Sequence, residues 1–217
     1  MKYEGWAIYE EADIAKIRAA ADILSRLFGY LGPLVRPGVS TAELDARAEE
    51  FIRSEGGEPA FKGYKPPFED EAYPYTLCVS IDAEVVHGLP SSRRFLQEGQ
   101  IVTLDCGVRV EGFHADMAYT FAVGEVAPPL RKLLWVTQEA LRRAIVQVRA
   151  GVPLGTIGHT ISSFVRSYSL AVSESLTGHG VGAAMHMPPD VPNVGTLGKG
   201  PRLPENLVIA VEPMVQM

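Results

Sequence analysis

Apolar residues recur at helical spacing near the start of the chain. Between residues 10 and 34 they fall on one helix face: Ile14, Ile17, Ala21, Leu24, Leu27, Phe28 and Leu31. Arg36-Pro37-Gly38 predicts the end of that helix. A second helix is predicted to begin after Ser40, because Glu43 completes the pattern of a capping box. Its apolar stripe is Leu44, Ala48, Phe51 and Ile52, and Gly56-Gly57 predicts its end.

The segments that follow have the pattern of strands and then of helices. Runs rich in β-branched and aromatic residues predict strands at residues 75–81, 84–86, 100–108 and 117–123. Helical spacing returns over residues 130–149 and 154–167, and a last strand is predicted at residues 207–215. The order helix, helix, strands therefore occurs twice.

The two halves of the chain also resemble each other in sequence. Arg36-Pro-Gly-Val39 matches Arg149-Ala-Gly-Val152 at an offset of 113 residues, and Leu104-Asp105 falls on Val211-Glu212 at an offset of 107. Chance similarity between two pairs of helices is one explanation. We favour a duplicated α+β unit, about residues 10–123 and 128–217. It predicts two halves related by a pseudo-twofold axis, with helices covering a curved, mostly antiparallel sheet.

Composition narrows the class of protein. The 217 residues are 47% apolar and 21% charged, and this apolar fraction is too high for a disordered chain. The net charge is −6, and the sequence has no basic stripe that could neutralise the phosphates of a nucleic acid. No apolar run approaches the roughly 18 residues of a membrane helix. The acidic N-terminus has no apolar core typical of a signal peptide. Because two cysteines, Cys78 and Cys106, are too few for a disulfide scaffold, we expect a cytoplasmic protein.

Three acids interrupt segments that are otherwise apolar. Asp105 lies in Ile101-Val-Thr-Leu-Asp-Cys-Gly-Val108, and the repeat pairs it with Glu212. Asp116 follows eleven residues later, a separation at which a hairpin brings both aspartates into one cleft. A single buried acid is usually satisfied by a backbone or arginine hydrogen bond. Three such acids would repel one another without a cation, so the set favours a metal site.

Three of the five histidines stand within two residues of glycine or proline near predicted strand ends: His87, His179 and His186. A lone histidine is more often structural than a ligand, and we interpret His114 as a neighbour of Asp116 and His159 as a helix-surface residue. Three carboxylates and one imidazole suit two divalent ions. Ions about 3.5–4 Å apart share a water and lower its pKa toward 7, which indicates hydrolysis.

Together these motifs resemble the bacterial-type methionine aminopeptidases, within the wider family of metallopeptidases that have the pita-bread fold. The resemblance covers essentially the whole chain. Its motifs are Lys16-Ile-Arg18, Arg36-Pro-Gly-Val-Ser-Thr-Ala-Glu-Leu-Asp45, Val85-Val-His-Gly-Leu-Pro90, Asp105 with Asp116, Gly178-His-Gly-Val-Gly182, His186 and Ile209-Ala-Val-Glu-Pro-Met214.

The resemblance implies a role for each of these side chains. Asp105, Asp116, His179 and Glu212 would be ligands of up to two divalent ions, with Co, Mn, Fe and Zn not distinguished. Glu212 would also help deprotonate the attacking metal-bound water, and His87 and His186 would bind substrate and stabilise the tetrahedral intermediate. A methionine pocket would be lined by Tyr64, Tyr73, Cys78 and Met185, with His87 and His186 also touching substrate. By composition alone, each pocket residue is plain core.

The implied activity is removal of the N-terminal methionine from nascent proteins whose second residue is small. The partners would be nascent polypeptide N-termini, and a transient contact with the ribosome is left open. We expect no nucleic-acid binding, no membrane association and a monomeric state.

The sequence departs from the family pattern in three places. His186-Met-Pro-Pro189 replaces a histidine followed by acids, and residues 65–72, with Pro66-Pro67 and three acids, are interpreted as an insertion near the pocket. The family also has a further glutamate that bridges both ions, whereas this sequence ends at Met217. We therefore expect residues 1–217 to form a single metallopeptidase domain that lacks the C-terminal strands. Its ligand set supports one ion better than two.

Two other functions stay open at this point. An X-Pro aminopeptidase or dipeptidase would use the same fold, although Glu212-Pro-Met-Val215 and the short N-terminus favour methionine removal. A non-catalytic binding module that kept the pita-bread fold is the second alternative, motivated by the missing carboxylate. The four retained ligands argue against it, since the fold alone does not require them.

Overall fold

The structure, a computed structural model, describes residues 5–65 and 71–217. It divides into two compact units. The first unit is Ala15–Ala127, and the second unit is Met1–Ile14 together with Pro128–Met217, described from Gly5 onward. Most of the predicted insertion, residues 66–70, lies outside the described residues. Within the described ranges, none of the helices combines the length and the apolar character needed to span a lipid bilayer.

Two helices supply one layer of the first unit. Helix α1 spans Glu11–Leu31 and continues into a 3-10 turn at Gly32–Leu34, and helix α2 spans Thr41–Ser54. The predicted N-cap is confirmed, because the Ser40 hydroxyl accepts a 3.1 Å hydrogen bond from the Glu43 amide. The predicted apolar faces are confirmed except at Ala21, which is exposed, while Ala20 and Ile23 are buried on that face instead. Their central residues are at most 1% exposed: Leu24, Leu27, Leu31, Leu44, Ala48 and Ile52.

Four antiparallel strands share a hydrophobic core with these helices. Strands β1 (Glu58–Pro59) and β2 (Cys78–Ile81) pair with successive parts of one edge of β3 (Ile101–Val110). Strand β4 (Phe113–Ala122) pairs with the whole of the other edge. Glu111 and Gly112 join β3 to β4 with positive φ at both residues, the geometry of a type I′ hairpin.

The strand predicted at residues 84–86 is wrong, since that described segment contains no strand. The chain turns at Asp82, whose φ is 52°. The Glu84 carboxylate then accepts the amide of Ile81 at 2.8 Å. Local hydrogen bonds from acidic side chains to the backbone compete with strand pairing, and here they close a turn instead.

The second unit has the same order of elements. Helices α3 (Pro128–Gln147) and α4 (Gly155–Ser167) confirm the predicted helices and pack in a separate core. Four short strands form two antiparallel pairs. Strand β5 (Ala171–Val172) pairs with β8 (Val215–Gln216), and β6 (Thr177–Gly180) pairs with β7 (Met187–Pro192).

The strand predicted at residues 207–215 is largely wrong. Only Val215 of that range belongs to a strand, and Ile209 makes an isolated bridge to Gly180. Pro213 cannot donate a ladder hydrogen bond, which disfavours a continuous strand there. Strands β6 and β7 were not predicted, because glycine dominates the first and proline the second, and both residues are depleted in strands.

Helix α4 packs directly on the backbone that follows β7. A Cβ atom on Gly158 would lie 2.5 Å from the carbonyl oxygen of Pro192 and 2.6 Å from that of Val194. On α1, by contrast, a Cβ on Gly29 would have nothing within 4 Å. Glycine is therefore required at residue 158 in α4 and dispensable at residue 29 in α1.

We expect Gly158→Ala to lower the free energy of unfolding by about 1–3 kcal/mol, because the methyl group forces the helix away from β7. Gly29→Ala should raise it by about 0.5–1 kcal/mol, because alanine loses less backbone entropy in a helix. Urea denaturation of the two variants measures both changes. Equal changes of the same sign would contradict the close packing at Gly158.

Candidate functional site

The hairpin of β3 and β4 places the two predicted aspartates on one face of the sheet. Asp105 pairs with Ala118, and Gly107 pairs with Asp116. Because side chains alternate along a strand, both carboxylates project from the same face at diagonal positions, about 7–8 Å apart at the backbone. Both residues are half-buried. The first unit therefore presents two acids together, as the sequence predicted.

Neutral side chains flank these acids. Cys78 pairs with Asp105 across β2 and β3, so its thiol lies on the same face. Burial raises the pKa of Cys78 to about 12, and the charge of Asp105 adds to that rise. Burial likewise raises the pKa of Tyr73, whose hydroxyl donates a 2.8 Å hydrogen bond to the Leu77 carbonyl. A thiol with so high a pKa is uncharged at neutral pH and is not an activated nucleophile.

Tyr64 is held next to Tyr73 by the backbone. The amide of Tyr73 donates to the Tyr64 carbonyl at 2.8 Å, and the Gly63 amide donates to the Tyr73 carbonyl at 2.7 Å. Three of the four predicted pocket residues, Tyr64, Tyr73 and Cys78, thus lie in one part of the first unit. The fourth, Met185, is buried in the second unit.

His87 lies at an exposed turn beside β2, with a φ of 59°. The next residue fixes that turn, because the Gly88 carbonyl accepts the Val79 amide at 2.7 Å and its own amide donates to the Ser80 hydroxyl at 3.0 Å. A Cβ atom on Gly88 would lie 2.2 Å from the Val79 carbonyl oxygen. The close approach that glycine permits leaves the imidazole of His87 at the surface.

His179, His186 and Glu212 come together in the second unit. His179 lies on β6 and is 7% exposed, and its Nε2 is 3.2 Å from Glu212 Oε1. The exposed ring of His186 lies 4.4 Å from the His179 ring, centroid to centroid. His179 Nδ1 is 2.9 Å from the Gly180 carbonyl oxygen, which accepts and therefore assigns the ring proton to Nδ1. Nε2 then carries the electron pair that can accept a hydrogen bond or coordinate a cation.

The pair formed by His179 Nε2 and Glu212 Oε1 fits a bound cation. Glu212 Oε1 is buried and makes no hydrogen bond to any residue in the described ranges. It faces a nitrogen that carries no proton in the tautomer just assigned, so two acceptor atoms oppose each other. Such an arrangement is costly unless a proton or a cation lies between them. Imidazole nitrogen with carboxylate oxygen is also a common donor set for divalent metals.

The loop that carries His186 is braced by Tyr9, near the start of the second unit. The Tyr9 hydroxyl accepts the amide of Ala183 at 3.0 Å and donates to the sulfur of Met187 at 3.4 Å. Met187 belongs to His186-Met-Pro-Pro189, which we interpret as a departure from the family pattern. The departure noted in the sequence therefore takes part in holding this loop.

Two further polar residues, given no role by the sequence, support the site. Asp45 on α2 accepts the amides of Thr76 and Leu77, both at 2.8 Å, and so anchors the backbone just before Cys78. Asn193 donates to the Glu212 carbonyl at 2.7 Å. For Asn193 the available signal was a polar residue between Val191 and Val194, whereas Asp45 lies among Glu43, Arg47 and Glu49 and carried no such signal.

The remaining two histidines lie as predicted. His114 is two residues from Asp116 on the same strand and therefore on the same face. His159 lies on α4, half-buried, with its ring 3.4 Å from the Ser163 hydroxyl.

Comparison with known proteins shows the family to which the chain belongs. Residues 15–217 match the sequence profile of metallopeptidase family M24. A methionine aminopeptidase of Clostridium acetobutylicum is 39% identical over 210 residues, which is 97% of this chain and 82% of that protein. A solved methionine aminopeptidase from Thermotoga maritima has a TM-score of 0.92 at 34% identity, again over 97% of this chain and 82% of the other.

A solved X-Pro aminopeptidase from Thermotoga maritima is a more distant neighbour. Its TM-score is 0.76 at 24% identity, and the match covers 95% of this chain but 54% of that one. This similarity shows a shared fold alone. The helices and antiparallel strands described above are those of the pita-bread fold, and the family uses divalent metal ions. The chain belongs to metallopeptidase family M24.

Proposed function

We propose that this chain is a metal-dependent methionine aminopeptidase, which removes the N-terminal methionine from nascent polypeptides whose second residue is small. The observation that carries the proposal is the buried contact of His179 Nε2 with Glu212 Oε1, 3.2 Å apart. Methionine removal is favoured over X-Pro cleavage by the 39% identity to a methionine aminopeptidase across 97% of the chain. We assign the chain to the cytoplasm because nascent polypeptides are made there.

We propose Asp105, Asp116, His179 and Glu212 as the ligands of up to two divalent ions. The donor set of three carboxylates and one imidazole accepts Co, Mn, Fe or Zn without selecting among them. When bound, such ions lower the pKa of a coordinated water toward about 7, which makes hydroxide available at neutral pH. The half-buried aspartates and the buried Glu212 oxygen supply the negative charge that retains a cation.

Three side chains of the protein act in peptide hydrolysis, one by proton transfer and two by hydrogen bonding. A carboxylate oxygen of Glu212 accepts the proton of the attacking water, and that proton passes to the leaving amine of the second residue. His87 and His186, both exposed, donate hydrogen bonds to the substrate carbonyl oxygen as it becomes negatively charged. The bond that breaks is the first peptide bond, and free methionine leaves.

Selectivity for methionine follows from the uncharged pocket side chains. Tyr64, Tyr73, Cys78 and Met185 contribute aromatic, thiol and thioether surface, which suits the polarizable sulfur of methionine. Because the pKa of Cys78 is about 12, the pocket side of β2 carries a neutral thiol at neutral pH. A charged N-terminal side chain would lose its hydration there without a partner.

Purified protein should release methionine from a Met-Ala-Ser peptide only when a divalent ion is supplied. EDTA treatment should abolish the release, and Mn, Co, Fe or Zn should restore it. An Ala-Pro-Ser peptide under the same conditions is the control for X-Pro cleavage and should stay intact. Failure with all four metals, or faster cleavage of the X-Pro peptide, would contradict the proposed function.

Replacing Glu212 by glutamine should lower kcat by about 10²–10⁴-fold, because the amide neither accepts the proton nor carries the ligand charge. Glu205→Gln is the matched control, since Glu205 is an exposed acid of the same unit. Steady-state kinetics and thermal melting should be measured on both variants. A Glu212→Gln variant as active as Glu205→Gln would rule out this role.

Replacing His87 by alanine should lower kcat by about 10²–10³-fold, the usual effect of removing one donor to a developing oxyanion. His159→Ala, on the surface of α4, should leave kcat unchanged. Mn²⁺ binding should be the same in both variants, because neither histidine is proposed as a ligand. An unchanged kcat for His87→Ala would remove it from the mechanism.

A further inference from the structure

The segment that carries Glu212 is not part of a strand. Residues 210–214 lie outside the strands of the second unit. Two backbone hydrogen bonds flank Glu212, from the Ala210 amide to the His179 carbonyl at 2.7 Å and from the Ser173 amide to the Met214 carbonyl at 2.9 Å. The carboxylate nevertheless has to stand at a defined distance from His179. Another contact must set the position of the residue midway between these two anchors.

The side chain of Asn193 makes that contact. Asn193 is 1% exposed, and its Nδ2 donates to the Glu212 carbonyl at 2.7 Å and to the Leu176 carbonyl at 3.2 Å. The Met214 sulfur lies 3.4 Å from the same nitrogen. Leu176 directly precedes β6, the strand that carries His179. One buried amide therefore ties the Glu212 segment to the base of the strand that carries its partner.

Asn193 is itself held in place by the backbone on both sides. Pro192 closes β7 and pairs with Thr177 at the first residue of β6. Gly158 of α4 lies against the carbonyl oxygens of Pro192 and Val194, too close to admit a Cβ. The amide group thus projects from a backbone that cannot shift without moving a helix and a strand. A side chain supported in this way can impose a position on a less regular neighbour.

The orientation of the amide is determined by its acceptors. Both Nδ2 hydrogens point at carbonyl oxygens, whereas Oδ1 is buried and has no hydrogen-bond partner among the residues that the structure describes. A flipped amide would direct Oδ1 at the Glu212 carbonyl, oxygen against oxygen. The buried Oδ1 without a partner makes this side chain unfavourable for stability. What Asn193 contributes is therefore the hydrogen bond from its Nδ2 to the Glu212 carbonyl.

We propose that Asn193 is a positioning residue for Glu212, and that its amide sets the distance between the Glu212 carboxylate and His179 Nε2. The proposal rests on the assigned role of Glu212 as a metal ligand. Loss of the tether lets the carboxylate move, which weakens metal binding by about 10–100-fold, as for other residues that orient a ligand. The pocket side chains are untouched, so KM for the peptide stays within about twofold of native.

Two substitutions separate the hydrogen bond from the packing. Asn193→Asp keeps the shape but replaces the donor by an acceptor facing the Glu212 carbonyl, and Asn193→Ala removes the group. Ser162→Ala is the control, because Ser162 is buried in the same unit and its hydroxyl donates to the Gly158 carbonyl at 2.8 Å, away from Glu212. Calorimetric titration of EDTA-treated protein with Mn²⁺ alone measures affinity without requiring activity.

Both Asn193 variants should bind Mn²⁺ about 10–100-fold more weakly than native protein, while Ser162→Ala binds it normally. At limiting Mn²⁺ their kcat should fall and should recover at saturating Mn²⁺, with KM for Met-Ala-Ser little changed. Native affinity in both variants would overturn the proposal, as would an equal loss of affinity in Ser162→Ala. If native protein binds Mn²⁺ but does not cleave the peptide, the proposed function fails while the binding test still decides the role of Asn193.

Discussion

The contact between a buried imidazole nitrogen and a buried carboxylate oxygen is the interaction on which the arrangement of the second unit depends. His179 Nε2 and Glu212 Oε1 are 3.2 Å apart, and the ring proton of His179 is directed at the Gly180 carbonyl. Two acceptor atoms at this distance are unfavourable unless a proton or a cation lies between them. The glycine-rich strand β6, the amide of Asn193 and the close packing of α4 are explained as parts that hold these two atoms in place.

In the first unit, regular strand pairing holds the proposed ligand side chains in place. A hairpin of two ten-residue strands presents Asp105 and Asp116 from one face, and regular pairing along the whole of β3 and β4 defines their separation. Around them the protein keeps side chains neutral, since burial holds Cys78 in its thiol form. Charge is therefore concentrated on the acids, and the neighbouring surface remains suited to an apolar substrate group. Asp45 supports that surface from α2 through two amides.

Much of the fold could be predicted from local pattern. The four helices, the Ser40 cap and the β3–β4 hairpin are specified by spacing, capping and turn residues within a few positions of one another. The errors occur where local pattern and tertiary context disagree. Residues 84–86 form a turn through side-chain hydrogen bonds, residues 207–215 lose regular pairing near Pro213, and β6 and β7 form from glycine and proline because neighbouring segments supply the partners.

The residue types already indicated the chemistry of the site, since three acids within apolar runs would repel one another without a cation. The spacing of Asp105 and Asp116 was also enough to predict that they lie near each other, because a hairpin has a regular geometry. Contacts between distant parts of the chain are different. That Glu212 stands 3.2 Å from His179, and that Asn193 and Asp45 hold the backbone beside the proposed ligands and pocket, depends on how helices and strands pack. Local periodicity carries no information about those distances.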